Sequence, residues 1–278
     1  MRERLCGTFK TLSQKVWNLL YESRYYGFYS YKGVLSRGLN IEEDTITDIM
    51  HLELNKKLPL DILTVKFSKP FESREGVDCE WWLLSASGII GFRIQAKKLH
   101  HYAGKYIYEY LDYKTNSGNY QVDNLITHAQ NYGVVPLYIF YNWWDSGLNY
   151  RQLVNSTPAC KIYSPKNLGI TVADAFSIKQ LVVQGRKEIG DVLAYSCPIH
   201  CLFCSSYSDL SDSVSRFLKT SFEEKIKVIK YDRLPDRVFE ILKKNKEELK
   251  DEIPNYLSFI MDPNEPHKDA DEIKRYLK

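Results

Sequence analysis

The feature that most constrains this chain is a set of apolar runs, "VDCEWWLL" (77–84), "GFRIQAK" (91–97) and "PLYIFYNW" (136–143), with a helical segment around "NLITHAQNY" between the last two. Two strands joined through a helix pair in parallel across a crossover, so the pattern predicts an α/β fold with a βαβ unit. "LTVKF" adds an earlier strand, and a helix "NIEEDTITDIMHLEL" opens at Asn40 with Glu43, Ile46, Met50 and Leu54 on one stripe. A first helix is expected from Thr8 to Ser23, where Phe9, Leu12, Val16, Leu19 and Leu20 recur at helical spacing. Beyond Asp145, "ACKIYS" and "LGITVADAFSIKQLVV" suggest one more strand and helix on the same sheet. From about Ser221 the chain reads as a docked helical extension, with Val238, Ile241, Leu242 and Leu249 on one stripe. The expected organisation is a helical lead over 1–39, a core over 40–150, and an extension with a C-terminal helical region over 151–278.

Composition narrows the function classes. A chain of 278 residues that is 44% hydrophobic and 14% aromatic has ample material for a buried core. Its net charge of +3 neither demands nor forbids a nucleic-acid partner, because a groove can be basic on a nearly neutral protein. "GVVPLYIFYNWW" is too short for a membrane span at 12 residues, and "MRERLCGTFKTLSQKVWNLL" is broken by polar residues, so no membrane association is expected. Six cysteines with no secretory leader argue against a disulfide scaffold and for a reducing cytoplasm.

Charge inside the strands is what needs explaining, since buried charge is costly. Side chains alternate faces along a strand, so Asp78, Glu80 and Trp82 share one side and Cys79, Trp81 and Leu83 the other. The same parity groups Gln95 with Lys97, opposite Phe92, Ile94 and Ala96. Adjacent strands would then hold Asp78, Glu80, Gln95 and Lys97 on one polar face. If the second helix packs over that face, Glu43 joins them, and the oxygen set suits a hard divalent cation.

The order of Glu43, Asp78 in "GVDCEW", and Gln95 and Lys97 in "FRIQAKK" resembles the PD-(D/E)XK, or restriction-endonuclease-like, nuclease superfamily, closest to its Mrr-type branch. Gly76 two residues before the aspartate, and Gln121 in "NYQVDNLITHA", are further points of likeness. Glutamine replaces the usual acid of the superfamily, which is the Mrr-type variant and removes one negative charge from the site. The resemblance covers roughly residues 40 to 145 and implies a restriction-endonuclease-like core, a mixed sheet flanked by helices, with helical additions at both ends. It further implies Mg²⁺- or Mn²⁺-dependent hydrolysis of nucleic-acid phosphodiesters, with double-stranded DNA as the first expectation and a bacterial restriction or antiviral-defence role. Asp78, Gln95, Glu43 and Glu80 would hold the metal, Lys97 would orient the attacking water, and Lys98, His100 and Gln121 would contact the nucleic acid. Cutting both strands would call for a homodimer. The alternatives are a nucleic-acid-binding module that has lost cleavage, and a nuclease acting on RNA.

Each residue alone has a plainer reading. Glu43 stands three after Asn40 and fits a capping box. Asp78 fits a turn end, and Lys97 beside Lys98 a charged guard on an edge strand. His100 and His101 fit an exposed loop, and the tryptophans fit packing. Cys197, Cys201 and Cys204 have the spacing used for iron–sulfur clusters by radical enzymes, but only 74 residues follow where such barrels run to roughly 200 or more. With His200 adjacent, a zinc site lacks a clear distant ligand pair. Buried, reduced cysteines in a strand-like "IHCLFC" are expected instead, with neither zinc nor iron.

Overall fold

The structure is a computed structural model, and it describes residues 2–26, 28–31, 34–67, 77–102, 104–115, 118–145, 147, 154, 164–204, 209–222, 226–243, 253–264 and 266–277. Glu75, Gly76, Leu249 and most of "ACKIYS" lie outside that set. In chain order the elements are α1 (Arg2–Ser23), β1 (Phe28–Tyr31), β2 (Val34–Arg37), α2 (Glu43–Lys57), β3 (Ile62–Lys66), β4 (Cys79–Ser85) and β5 (Gly88–Lys98). There follow β6 (His100–Tyr102), β7 (Lys105–Ile107), α3 (Gln121–Asn131), β8 (Val135–Tyr141), β9 (Ile170–Asp174), α4 (Ala175–Val183) and α5 (Ile189–Leu193). The chain closes with β10 (Ser196–Pro198), α6 (Leu210–Ser221), α7 (Asp236–Lys243), β11 (Tyr256–Met261) and α8 (Ala270–Tyr276).

Seven strands form one mixed sheet in the order β10-β9-β8-β5-β4-β11-β3, with helices on both faces. The predicted crossover is present, since β5 and β8 pair in parallel and α3 lies between them in sequence. Gly133 ends that helix at φ +64°, where a Cβ would meet the Tyr231 hydroxyl at 2.0 Å, so no other residue fits the corner. On one face Phe9 and Val16 of α1, Ile46, Met50 and Leu54 of α2, and Val214 of α6 pack on Trp81, Phe92 and Ile94. On the other, Trp82 and Leu84 pack under Val238, Phe239 and Ile273 of α7 and α8. The strand parity read from the sequence therefore holds on β4 and β5.

Three expectations are corrected. The C-terminal stretch is not only helical, because "YLSFIM" forms β11 and inserts between β3 and β4, parallel to β4. The segment after Cys197 is a 3₁₀ turn over Ile199–Phe203 rather than a strand. Cys204 is bonded to Cys6 across 198 residues, tying α1 to that turn, while Cys79, Cys197 and Cys201 are buried. No helix among the described residues is long and apolar enough to cross a membrane.

Candidate functional site

β4 and β5 pair from Ser85↔Gly88 to Cys79↔Ile94, and the Asp78 amide adds one last bond to Ile94 O at 3.0 Å. There β4 ends, but β5 continues to Lys98 against β8 on its other edge. The sheet thus forks, and beyond the fork the Ala96 and Lys98 amides, on the side that β4 has left, lack strand partners. Two carboxylates take their place. Asp78 Oδ2 accepts from Ala96 N at 2.7 Å, and Glu43 Oε2 accepts from Lys98 N at 2.8 Å. Unpaired backbone amides need such acceptors, so both acids have a structural reason to stand where they do.

That reason differs from the one the sequence suggested for Glu43. The helix N-cap is Glu42 and makes no side-chain capping bond, while Asn40 donates to Glu42 Oε1 at 2.6 Å, so no capping box forms around Glu43. Nor does α2 cover the polar face. Its Ile46, Met50 and Leu54 pack on the apolar side with Cys79 and Ile94, and Glu43 reaches the fork from the first turn of the helix.

Between the acids lie Gln95 and Lys97. Gln95 is 2% exposed, and its Nε2 donates to Asp78 Oδ2 and, at 3.2 Å, to Ala96 O. Its Oε1 is buried with no hydrogen-bond partner. Lys97 is also buried, on a central rather than an edge strand, which removes the edge-guard reading. Burial pushes the Glu43 carboxyl up to about 7, with Lys97 pulling it back and Asp78 pushing it further up. A carboxyl in that state is short of positive charge.

Tyr138 was missed from the sequence. It lies opposite Gln95 on β8, fully buried, with its hydroxyl unpaired. Burial raises its pKa, and the charges of Asp78, Glu43 and Asp123 raise it further, which puts the phenol within electrostatic reach of both fork acids. The signal was available in principle, since the parity that pairs Gln95 with its neighbour on a parallel strand selects Tyr138, but only once the register is known. Gln121 opens α3, and its Oε1 is likewise buried and unpartnered.

Two predicted residues go elsewhere. Glu80 is fully buried, and its Oε1 accepts from Trp82 Nε1 and Arg237 Nη2, both at 2.8 Å. Lys98 points to the opposite face, where Nζ donates to Asn40 Oδ1 and Ile41 O at 2.7 Å. His100 is half-buried near Glu109 rather than a free loop residue.

Among the described residues no group of three His, Cys, Asp or Glu side chains converges to hold a metal. The fork offers two carboxylates and an amide oxygen. Oxygen-only donors with a partnerless buried carbonyl do fit a hard cation, which usually completes its shell with water.

The fold and fork define a mixed α/β sheet protein with a polar, acid- and lysine-bearing fork at the end of a central strand. Residues 5–276 match the family described as "Family of unknown function (DUF6615)", and the chain belongs to that family. Comparison with curated proteins and with solved structures gave no match.

Proposed function

We propose that this chain is a metal-dependent nuclease with a restriction-endonuclease-like core, in which Asp78, Gln95 and Glu43 hold Mg²⁺ or Mn²⁺ at the fork. The observation that carries the reading is Gln95 Oε1, buried without a partner in a side chain bonded to Asp78 and three residues before Lys98, whose amide Glu43 holds. Leaving such an acceptor unmade costs about 1–3 kcal/mol, and a cation would supply what it lacks. When bound, the metal would supply Lewis acidity toward a phosphodiester and a more acidic water. Lys97 would place a positive charge beside the reacting phosphate and offset charge that develops on it. The Asp78 and Glu43 bonds to Ala96 N and Lys98 N fix the two carboxylates before any ligand arrives. Glu80, held by Arg237 and Trp82, supports the site's framework rather than the metal. Double-stranded DNA is the proposed substrate.

Among the described residues the fork has two acids and not three, which favours one second reading, a nucleic-acid-binding module that has lost cleavage. Incubating the purified protein with plasmid DNA and with total RNA, with and without Mg²⁺ or Mn²⁺, separates these. Metal-dependent cutting of DNA that disappears in Asp78→Asn supports the nuclease. Binding without cutting under every condition supports the second reading, and cutting confined to RNA changes the substrate.

A further inference from the structure

We propose that a second pocket, on the face of β5 opposite Gln95 and Lys97, binds a phosphate group. It is a cavity of about 170 Å³ where the end of α1, the segment leading into α2, and the junction of β5 and β6 meet. Its walls include Arg24, Lys98, His100 and His101, and no Asp or Glu is among them. Lys98 is 8% exposed, and its ammonium is held by two neutral oxygens, Asn40 Oδ1 and Ile41 O, which leaves the third hydrogen unused. Arg24 lies over the rings of Tyr21 and Tyr25 at 4.5 and 4.4 Å and pairs with Asp145 at 2.5 Å, outside the lining. Its Nε is buried without a partner.

A buried ammonium with an unused hydrogen, beside a guanidinium in the wall of the same polar cavity, is costly as it stands. An oxyanion answers it, because it brings opposite charge and several acceptors together. Burial, with Lys98 adding to it, lowers the pKa of His100 to about 4, so near neutral pH its ring can hydrogen-bond to the anion without adding charge. Phosphate fits better than a carboxylate because it brings more acceptor oxygens to the several donor-bearing residues of the wall, Arg24, Lys98 and the histidines.

The inference extends the nuclease reading, since Lys97 and Lys98 are successive residues on opposite faces of β5. A strand passing the end of β5 could place one phosphate at the fork and another in this pocket. Its first test needs neither metal nor cleavage. Inorganic phosphate is titrated calorimetrically into the metal-free full chain at constant ionic strength, with chloride as the control. One saturable site is expected, weakened at least tenfold in Arg24→Gln and in Lys98→Gln. Because Lys98 also anchors the α2 lead, Leu39→Trp provides a variant that narrows the mouth at a 53% exposed wall residue without removing a hydrogen bond, and it should lose phosphate binding with its melting unchanged.

Phosphate binding no tighter than chloride, or unchanged in Arg24→Gln and Leu39→Trp, overturns the proposal. A second arm measures a single-stranded oligonucleotide in EDTA. Competition by phosphate identifies the nucleic-acid strand as the source. Phosphate binding that leaves the oligonucleotide in place identifies free phosphate or a mononucleotide, and the pocket stands in that form. If plasmid is never cut but phosphate binds, the nuclease reading fails alone.

Discussion

Two neighbouring polar stations on the same sheet face are completed differently. Glu80 faces Arg93 across β4 and β5, and one step further along the strands, about 7 Å away, Asp78 meets Gln95. At the first station Glu80 is bonded to Trp82 and Arg237, and the Arg93 and Arg237 guanidiniums lie 4.8 and 4.1 Å from the Tyr132 ring centroid. α7 delivers Arg237 and closes the pair over. At the second, β4 has ended; buried polar atoms without hydrogen-bond partners occur at both, Glu80 Oε2 and Arg237 Nη1 at the first and the Gln95 carbonyl and Tyr138 hydroxyl at the second. Residue type alone does not distinguish a structural charge in a strand from a candidate site residue; the covering element does.

The largest expected effect belongs to the open station. Asp78→Asn and Lys97→Ala should each lower metal-dependent DNA cleavage per folded molecule by about a hundredfold or more, with the wild-type circular-dichroism spectrum retained. If Lys98→Ala proves as damaging while Lys97→Ala cuts normally, the face assignment is wrong.

The closed station should respond in stability instead. Arg237→Met leaves the Glu80 carboxylate buried without its charge partner, which typically costs about 3–5 kcal/mol. Urea unfolding should show that loss, while cleavage per folded molecule stays near wild type. A metal requirement altered in Arg237→Met would merge the two stations into one site.

pH gives a sharper test of the fork. The Glu43 carboxyl is raised from 4.5 to about 7 in the fold, so between those values the native state holds more protons than the unfolded state. Metal-free protein should therefore lose stability as pH rises through that window, by up to one proton's worth of slope. Glu43→Gln should remove this component, and saturating Mg²⁺ should reduce it by favouring the ionised carboxylate. Denaturant midpoints at several pH values, with and without Mg²⁺, measure it; a Glu43→Gln protein with the wild-type slope would assign the slope to another group.

The smallest effect concerns Tyr138. Removing an unpaired buried hydroxyl in Tyr138→Phe should stabilise the metal-free protein by about 1 kcal/mol. If the hydroxyl serves the site, the same variant should lose cleavage. Stability gained with full activity would leave Tyr138 as packing alone.

Much of this arrangement is legible without coordinates. Alternation along a strand and the 3.6-residue helical repeat are local properties of the backbone, so the faces of β4 and β5 and the α2 stripe can be read from residue order alone. The parallel β5–α3–β8 unit matches the strand–helix–strand order, though that order alone does not force it, since β9 and β10 pair antiparallel with α4 and α5 between them. That Gln95 and Lys97 share a face away from Ile94 and Ala96 was determined by sequence.

What only tertiary structure decided is which distant element completes each local surface. β11 enters between β3 and β4 from residues 256–261, Arg237 arrives over Glu80 from 157 positions away, and Cys6 meets Cys204. Glu43 reaches the fork from α2 packed on the other face, where β4 stops short and leaves the Lys98 amide to be satisfied. Such pairings depend on burial and on hydrogen bonds made between segments far apart in the chain, and no periodicity within a segment encodes its partner. The sequence therefore determined which side chains face together, and the fold decided that Arg237 would close over Glu80 while β4 stopped short beside Gln95.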